Sequence, residues 1–190
     1  MATQYYTATS IDGYIADSDN SLEWLFQMGE APGMEEDYPQ FMGAVGALAM
    51  GSTTYEWILD HTGLREDPSQ WEHDVPCWVF SSRELPRLAG ADIRFVSGAV
   101  GPVHAEMAAA AGDKNIWLVG GGELVGQFYD QGLLDELVLG VASVTLGAGA
   151  PLLPRRITGL RLLSARQYGE SFVSLRYAVS PARGDQQPPG

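Results

Sequence analysis

Residues 115–130 read NIWLVGGGELVGQFYD, and this stretch decides the fold. Ile116, Trp117, Leu118 and Val119 favour a buried strand, three consecutive glycines follow (Gly120, Gly121, Gly122), and Leu124, Val125, Phe128 and Tyr129 then share one helical face. The reading is strand, tight turn, helix. With no Cβ in the turn a ligand can lie against the backbone, and the N–H groups of the helix start, which lack intrahelical partners, point at it with a favourable dipole. Such a turn seats a phosphate, or it only makes a tight connection; this stretch alone leaves both open. The pattern G-x-G-x-x-G is not met, because Val125 stands where its third glycine belongs, and no Lys-Ser or Lys-Thr follows as in a phosphate loop.

Working outward, the segments on both sides repeat the alternation of strand and helix. Residues 4–10, QYYTATS, predict an opening strand, central because its aromatics cover both faces. Asp12-Gly13 turns the chain, Tyr14-Ile15-Ala16 resumes extended structure, and Ser21 stands as a helix cap before Leu22 and Trp24. A helix is expected over 34–45, with Glu35, Glu36 and Asp37 in its first turn, where acids suit the dipole, and Pro39 tolerated only near its start. Strands follow at 47–50, 76–80 and 93–96, with helices at 54–61 and from Pro102 to Ala111. Beyond the glycine turn, 136–142 is a strand, 145–154 a Gly/Pro loop, and 160–168 with 172–179 a hairpin turning at Gly169-Glu170. The pattern predicts one three-layer α/β/α domain over residues 1–180, its mostly parallel central sheet closed by a C-terminal antiparallel hairpin. The tail PARGDQQPPG, 181–190, has nothing to bury and is expected to be disordered.

Composition narrows the partners. The 190 residues suffice for one well-buried core, and 45% apolar residues with no run near ~20 fit a soluble chain rather than a membrane-spanning one. Eleven basic against twenty-four acidic residues give a net charge of −13, which disfavours nucleic acid and anionic membranes. The start MATQYYTATS is no secretory signal, so a cytoplasmic location is expected. Cys77, the single cysteine, reads as a buried small hydrophobe, and His61, His73 and His104 are too scattered for a metal site.

Three predicted strands end in related chemistry: Met50-Gly51-Ser52-Thr53, Phe80-Ser81-Ser82-Arg83 and Val119-Gly120-Gly121-Gly122. In parallel α/β sheets the carboxyl ends of the strands form the ligand crevice, so small residues, hydroxyls, helix starts and an arginine converge there. With TATSIDGYIA at the start, LAMGSTTYE in the middle, and IWLVGGGELVGQFYDQGLLDEL and LGAGAPLLP late, the chain resembles the dihydrofolate reductase-like superfamily over about residues 3–179. Within it the resemblance is to the branch that includes the reductase domain of the bifunctional riboflavin-biosynthesis deaminase-reductase.

That resemblance implies a dihydrofolate reductase-like fold, NADPH as cofactor and a homodimer. It implies that Ala8 and Ile15 touch the nicotinamide, that Gly51, Ser52, Thr53 and Thr54 hold cofactor phosphates, and that Ser81, Ser82 and Arg83 read the adenosine 2′-phosphate. Gly120, Gly121, Gly122, Glu123 and Leu124 match the pyrophosphate turn. Ser52 is a departure, since the family usually places Arg or Lys there; the role falls to Arg83, at an expected loss of ~1–3 kcal/mol in preference for NADPH over NADH. On the substrate side Asp37 matches the carboxylate that folate reductases use in protonation, although a helix-start acid serving the dipole explains it equally. Trp24, Tyr38 and Phe41 are the candidates to stack on a flat ring. The expectation is an NADPH-dependent reductase of a small heterocyclic or carbonyl substrate. The alternatives are 5-amino-6-(5-phosphoribosylamino)uracil reduction in riboflavin synthesis, and a nucleotide-binding module without catalysis.

Overall fold

The computed structural model describes residues 1–29, 33 and 37–180. β1 (Thr3–Ser10) and the short β2 (Tyr14–Ala16) precede two short helices, α1 (Glu23–Phe26) and α2 (Asp37–Gly43). β3 (Val45–Gly51) runs into α3 (Ser52–His61), and after a 3-10 turn at Pro68–Gln70 come β4 (Cys77–Phe80), β5 (Ile93–Val96) and α4 (Val100–Ala111). Then follow β6 (Asn115–Gly120), α5 (Gly122–Asp130), β7 (Glu136–Ala142), β8 (Ala150–Pro151) and the hairpin of β9 (Arg161–Tyr168) with β10 (Phe172–Ala178). The main sheet has the order β5-β4-β3-β6-β1-β7-β10-β9. β5 through β7 are mutually parallel, and β10 runs antiparallel to both β7 and β9.

Alternation of side chains across the pleat builds a core on each face of this sheet. Ala47, Ala49, Trp78, Ile116 and Leu118 face one layer with Val103, Met107, Val125 and Phe128 of α4 and α5. Val45, Leu48, Met50, Cys77, Val79 and Trp117 face the other with Tyr55 and Leu59 of α3. The strands therefore read as unbroken apolar runs. β1 is central as expected, with Tyr5 packed into the first cluster and Tyr6 against the second. Burial raises the Cys77 thiol pKa well above its usual range, so this side chain is an inert part of the core.

Several boundaries differ from those read in the sequence. The helix expected over 34–45 is α2, Asp37–Gly43 in the described residues; Val45 belongs instead to β3, paired with Asn115, while Met34, Glu35 and Glu36 lie outside the described residues, as does the tail 181–190. α3 begins two residues earlier than expected, at Ser52, and α4 at Val100 rather than Pro102, which is possible because first-turn N–H groups need no intrahelical acceptor. Ser21 does bond the start of α1, accepting from the Glu23 N–H at 3.1 Å, but Leu22 occupies the cap position.

The Gly/Pro loop conceals β8, which pairs antiparallel with β2. Gly149 makes that pairing possible, because its φ is +142° and a Cβ there would stand 2.0 Å from the Ala16 carbonyl oxygen. Nor does the hairpin bury an alternating face. Arg161 through Gln167 are all exposed, Leu162 at 52% and Leu163 at 39%, since β9 is the terminal strand of the sheet.

Candidate active site

A cavity of about 930 Å³ opens beside the middle of β1 and at the carboxyl ends of β3, β4 and β6, and is roofed by the β2–β8 ribbon. Two glycines begin the helices that point into it. Gly51 caps α3 with φ −81° and ψ 164°, Gly121 caps α5 with φ −82° and ψ 177°, and neither helix start receives a side-chain cap. The first-turn N–H groups of both helices are thus open to an external acceptor. The two turns lie together: a Cβ on Gly51 would be 3.9 Å from Gly120 O and Gly121 N. The Gly120–Gly121 peptide bond is cis.

Ile15, Gly51, Ser52, Thr53, Thr54, Ser81, Ser82, Gly120, Gly121, Gly122, Glu123 and Leu124 all line this one cavity. Glu123 is the only charged residue of the described wall, and Arg155 neutralises it at 2.7 Å while also pairing with Asp130 at 2.9 Å. The Arg155 hydrogen bond holds the Glu123 carboxyl below its ordinary pKa. Arg83 is not a wall residue. Its N–H donates to Ser81 Oγ at 2.9 Å, and its guanidinium reaches Glu56 at 2.6 Å and Ser52 Oγ at 3.3 Å, at the cavity rim.

The remaining expected residues stand elsewhere. Ala8 is absent from the wall and packs against the cluster of Trp24, Ala142, Tyr168 and Phe172, so Trp24 is core and offers no stacking surface to the cavity. Asp37 does not reach the wall either; its oxygens are engaged by the Tyr168 hydroxyl and by Arg166 at 3.2 Å. Tyr38 and Phe41 are not wall residues but pack against two that are. Phe41 stacks on Tyr6 at 4.3 Å and meets Trp117 edge-on at 5.6 Å, while Tyr38 stands 6.4 Å from Tyr6 and 6.1 Å from Trp117.

The aromatics that reach the cavity are Tyr6, Trp57, Phe80 and Trp117, none of them chosen as a site residue from the sequence. The Trp117 Nε1–H donates to the Tyr6 carbonyl at 3.0 Å, and His73 approaches the Trp117 ring edge at 5.8 Å. Burial lowers the His73 pKa, so that ring is neutral at physiological pH. The Tyr6 hydroxyl has no hydrogen-bond partner among the described residues, and burial first, with the Asp37 charge second, raises its pKa. One signal could have pointed to Trp117: it lies on the strand whose end carries the glycine turn.

The cavity fits an anionic dinucleotide. A Cβ on Gly121 would meet only Ile15 Cδ1, at 4.0 Å, so the protein leaves open the space a diphosphate needs beside that backbone. The volume falls in the range of sites that enclose small molecules and cofactors, roughly 300–1,000 Å³.

A model of the RibD C-terminal domain matches residues 3–174. The chain belongs to that family. This RibD C-terminal domain is 33% identical over 177 residues to the uncharacterised YwjB protein of Bacillus subtilis, covering 92% of the chain and 96% of its relative. A crystal structure from Shewanella sp. PV-4, provisionally assigned to riboflavin biosynthesis, superposes with a TM-score of 0.78 at 26% identity, covering 95% and 99% of the two chains. Dihydrofolate reductase from Enterococcus faecalis, complexed with NADP(H), superposes with a TM-score of 0.60 at 11% identity over 94% of this chain and 95% of that one. The domain thus has the dihydrofolate reductase-like α/β fold, with a mostly parallel sheet and antiparallel strands at one edge.

Proposed function

We propose that this RibD C-terminal domain is an NADPH-dependent reductase of a small, flat heterocyclic or carbonyl compound. The observation that carries the reading is the pair of uncapped, glycine-begun helices opening into one cavity whose other wall is the aromatic pair Tyr6 and Trp117. The amides at the starts of α3 and α5 take the diphosphate, and Ile15 lies against the nicotinamide. Bound there, the cofactor supplies a hydride; with one proton from solvent, a C=N or C=O bond becomes HC–NH or HC–OH and NADPH becomes NADP⁺.

The chain contributes orientation, exclusion of water and one hydrogen bond. Tyr6 stays protonated through neutral pH, since its pKa lies above the ordinary phenol value, and it donates to the heteroatom of the bond being reduced. Tyr6 and Trp117, whose rings stand 72° apart, bound a flat ring on two sides, and Phe41 and Tyr38 pack against both. Asp37 acts through its charge beside Tyr6 and not as the proton source, because both its oxygens are engaged.

Calorimetry with NADPH, followed by loss of NADPH absorbance against a panel of pterins, pyrimidines and carbonyl compounds, tests the proposal. Failure to bind NADPH overturns it. Binding without turnover across the panel favours the non-catalytic nucleotide-binding module. Tyr6→Phe is expected to lower kcat about tenfold, the worth of one hydrogen bond, with an unchanged Kd for NADPH. Reduction of 5-amino-6-(5-phosphoribosylamino)uracil is a second reading, favoured by the family to which the chain belongs. It requires a cation for the ribose phosphate, and the described wall carries none.

The edge strand β9, with Leu162 and Leu163 exposed, supports the further proposal that two copies associate. Light scattering is expected to give twice the 20.5 kDa chain mass, and a monomer at micromolar concentration would count against the pairing.

A further inference from the structure

The rim of the cavity carries a carboxylate that the nucleotide reading does not use. Ser52 opens α3 on the wall, and Glu56 follows one turn later on the same helix face. The guanidinium of Arg83 bridges them: Nη2 donates to Ser52 Oγ at 3.3 Å and to Glu56 Oε2 at 2.6 Å, and Nη1 donates to Glu56 Oε1 at 3.3 Å. The forked face of the guanidinium, which would take a phosphate, is thereby filled by a carboxylate from within the chain. Arg83 is 58% exposed and Glu56 32%, so solvent screens the pair and it opens at little cost.

We propose that Glu56 is the residue that sets nucleotide preference at the 2′ position of the adenosine ribose. The inference rests on the dinucleotide reading of the cavity. A 2′-phosphate must displace Glu56 from Arg83 and then lie beside a carboxylate of the same sign. A free 2′-hydroxyl meets neither obstacle, and it can donate to the Glu56 carboxylate while Arg83 keeps that carboxylate in place. The same opposition, an acid for the hydroxyl and an arginine for the phosphate, separates NADH from NADPH in other dinucleotide sites. Here both groups stand in one pair, with Ser52 supplying no second cation, so the preference for NADPH over NADH is narrow.

Titration calorimetry of the full chain, Glu56→Gln and Glu56→Ala with NADPH and with NADH tests this without reference to any substrate. The parent is expected to bind the two within about fivefold of each other, and both variants to bind NADPH about tenfold more tightly while NADH weakens or holds. Both substitutions fall on a partly exposed helix position, and circular dichroism confirms that the fold is kept. A parent that prefers NADPH by about a hundredfold or more, or a ratio unmoved in both variants, overturns the role of Glu56 and leaves the dinucleotide reading intact. Absence of binding by either nucleotide to the parent overturns both.

Discussion

Gly121→Val is expected to fold as the parent does and to lose NADPH. A Cβ at this position meets only Ile15 Cδ1 at 4.0 Å, which is ordinary contact, and its φ of −82° suits any side chain. The protein therefore accepts a Cβ at this position without a clash. The side chain instead fills the space beside the N–H groups that open α5, where the diphosphate is proposed to lie. Removing backbone approach at one of two helix starts is expected to weaken NADPH at least about a hundredfold, or ~3 kcal/mol. Calorimetry on a variant with the parent's melting temperature reads this directly. A folded variant that binds NADPH with native affinity would show that the glycine turn does not seat the cofactor.

One residue further along, the same kind of substitution should give the opposite result. Gly122→Ala is expected to damage the fold itself, because a Cβ there would lie 2.4 Å from the carbonyl oxygens of both Pro151 and Leu152. These are backbone atoms of β8 and its continuation, held in place by pairing with β2 and by the Leu152 N–H bond to the Gly13 carbonyl at 2.8 Å. They have no rotamer into which to retreat. Overpacking of a close backbone contact costs about 3 kcal/mol, and for a chain of this size that is roughly a 6–12 °C fall in melting temperature. Thermal unfolding followed by circular dichroism measures the loss, and an unchanged midpoint would mean that the loop carrying Pro151 shifts freely. Two adjacent glycines thus have separate tasks. Gly121 leaves open space beside the start of α5, whereas Gly122 lets α5 pack beneath the roof of the cavity.

That division also marks what could be read from the chain. The turns at Gly51 and Gly121 are legible because the ligand-facing groups are backbone amides, and backbone exposure is written directly as glycine beside a strand end. Tyr6 and Trp117 are not legible in that way. In a parallel sheet covered on both faces both sides of a strand are buried, so no alternation marks the cavity side, and only the packing of α2 and α3 decides which aromatic backs a core and which reaches the cavity. Asp37 failed as a wall residue for a related reason: its partners Arg166 and Tyr168 lie 129 and 131 residues away, beyond any local pattern. Trp24, equally suggestive beside a predicted loop, is drawn into the core by Tyr168 and Phe172 of the distant hairpin. The pairing of Arg83 with Glu56 spans 27 residues and two elements, so the sequence offers the arginine as a candidate phosphate ligand without disclosing its carboxylate partner.

The place of β1 in the sheet has a consequence for how the polypeptide is made. This strand precedes every other strand of its sheet in the chain, yet its two neighbours are β6 and β7, and the Ala2 N–H bonds an Asn115 side chain 113 residues later. At roughly 5–20 residues per second, a newly made β1 waits on the order of ten seconds before either neighbour leaves the ribosome. During that interval the stretch TQYYTATS has no native strand to pair with, and its tyrosines are open to chaperones or to a neighbouring nascent chain. The architecture that gathers three strand ends around one cavity therefore leaves its central strand longer without a partner than any other strand of the main sheet.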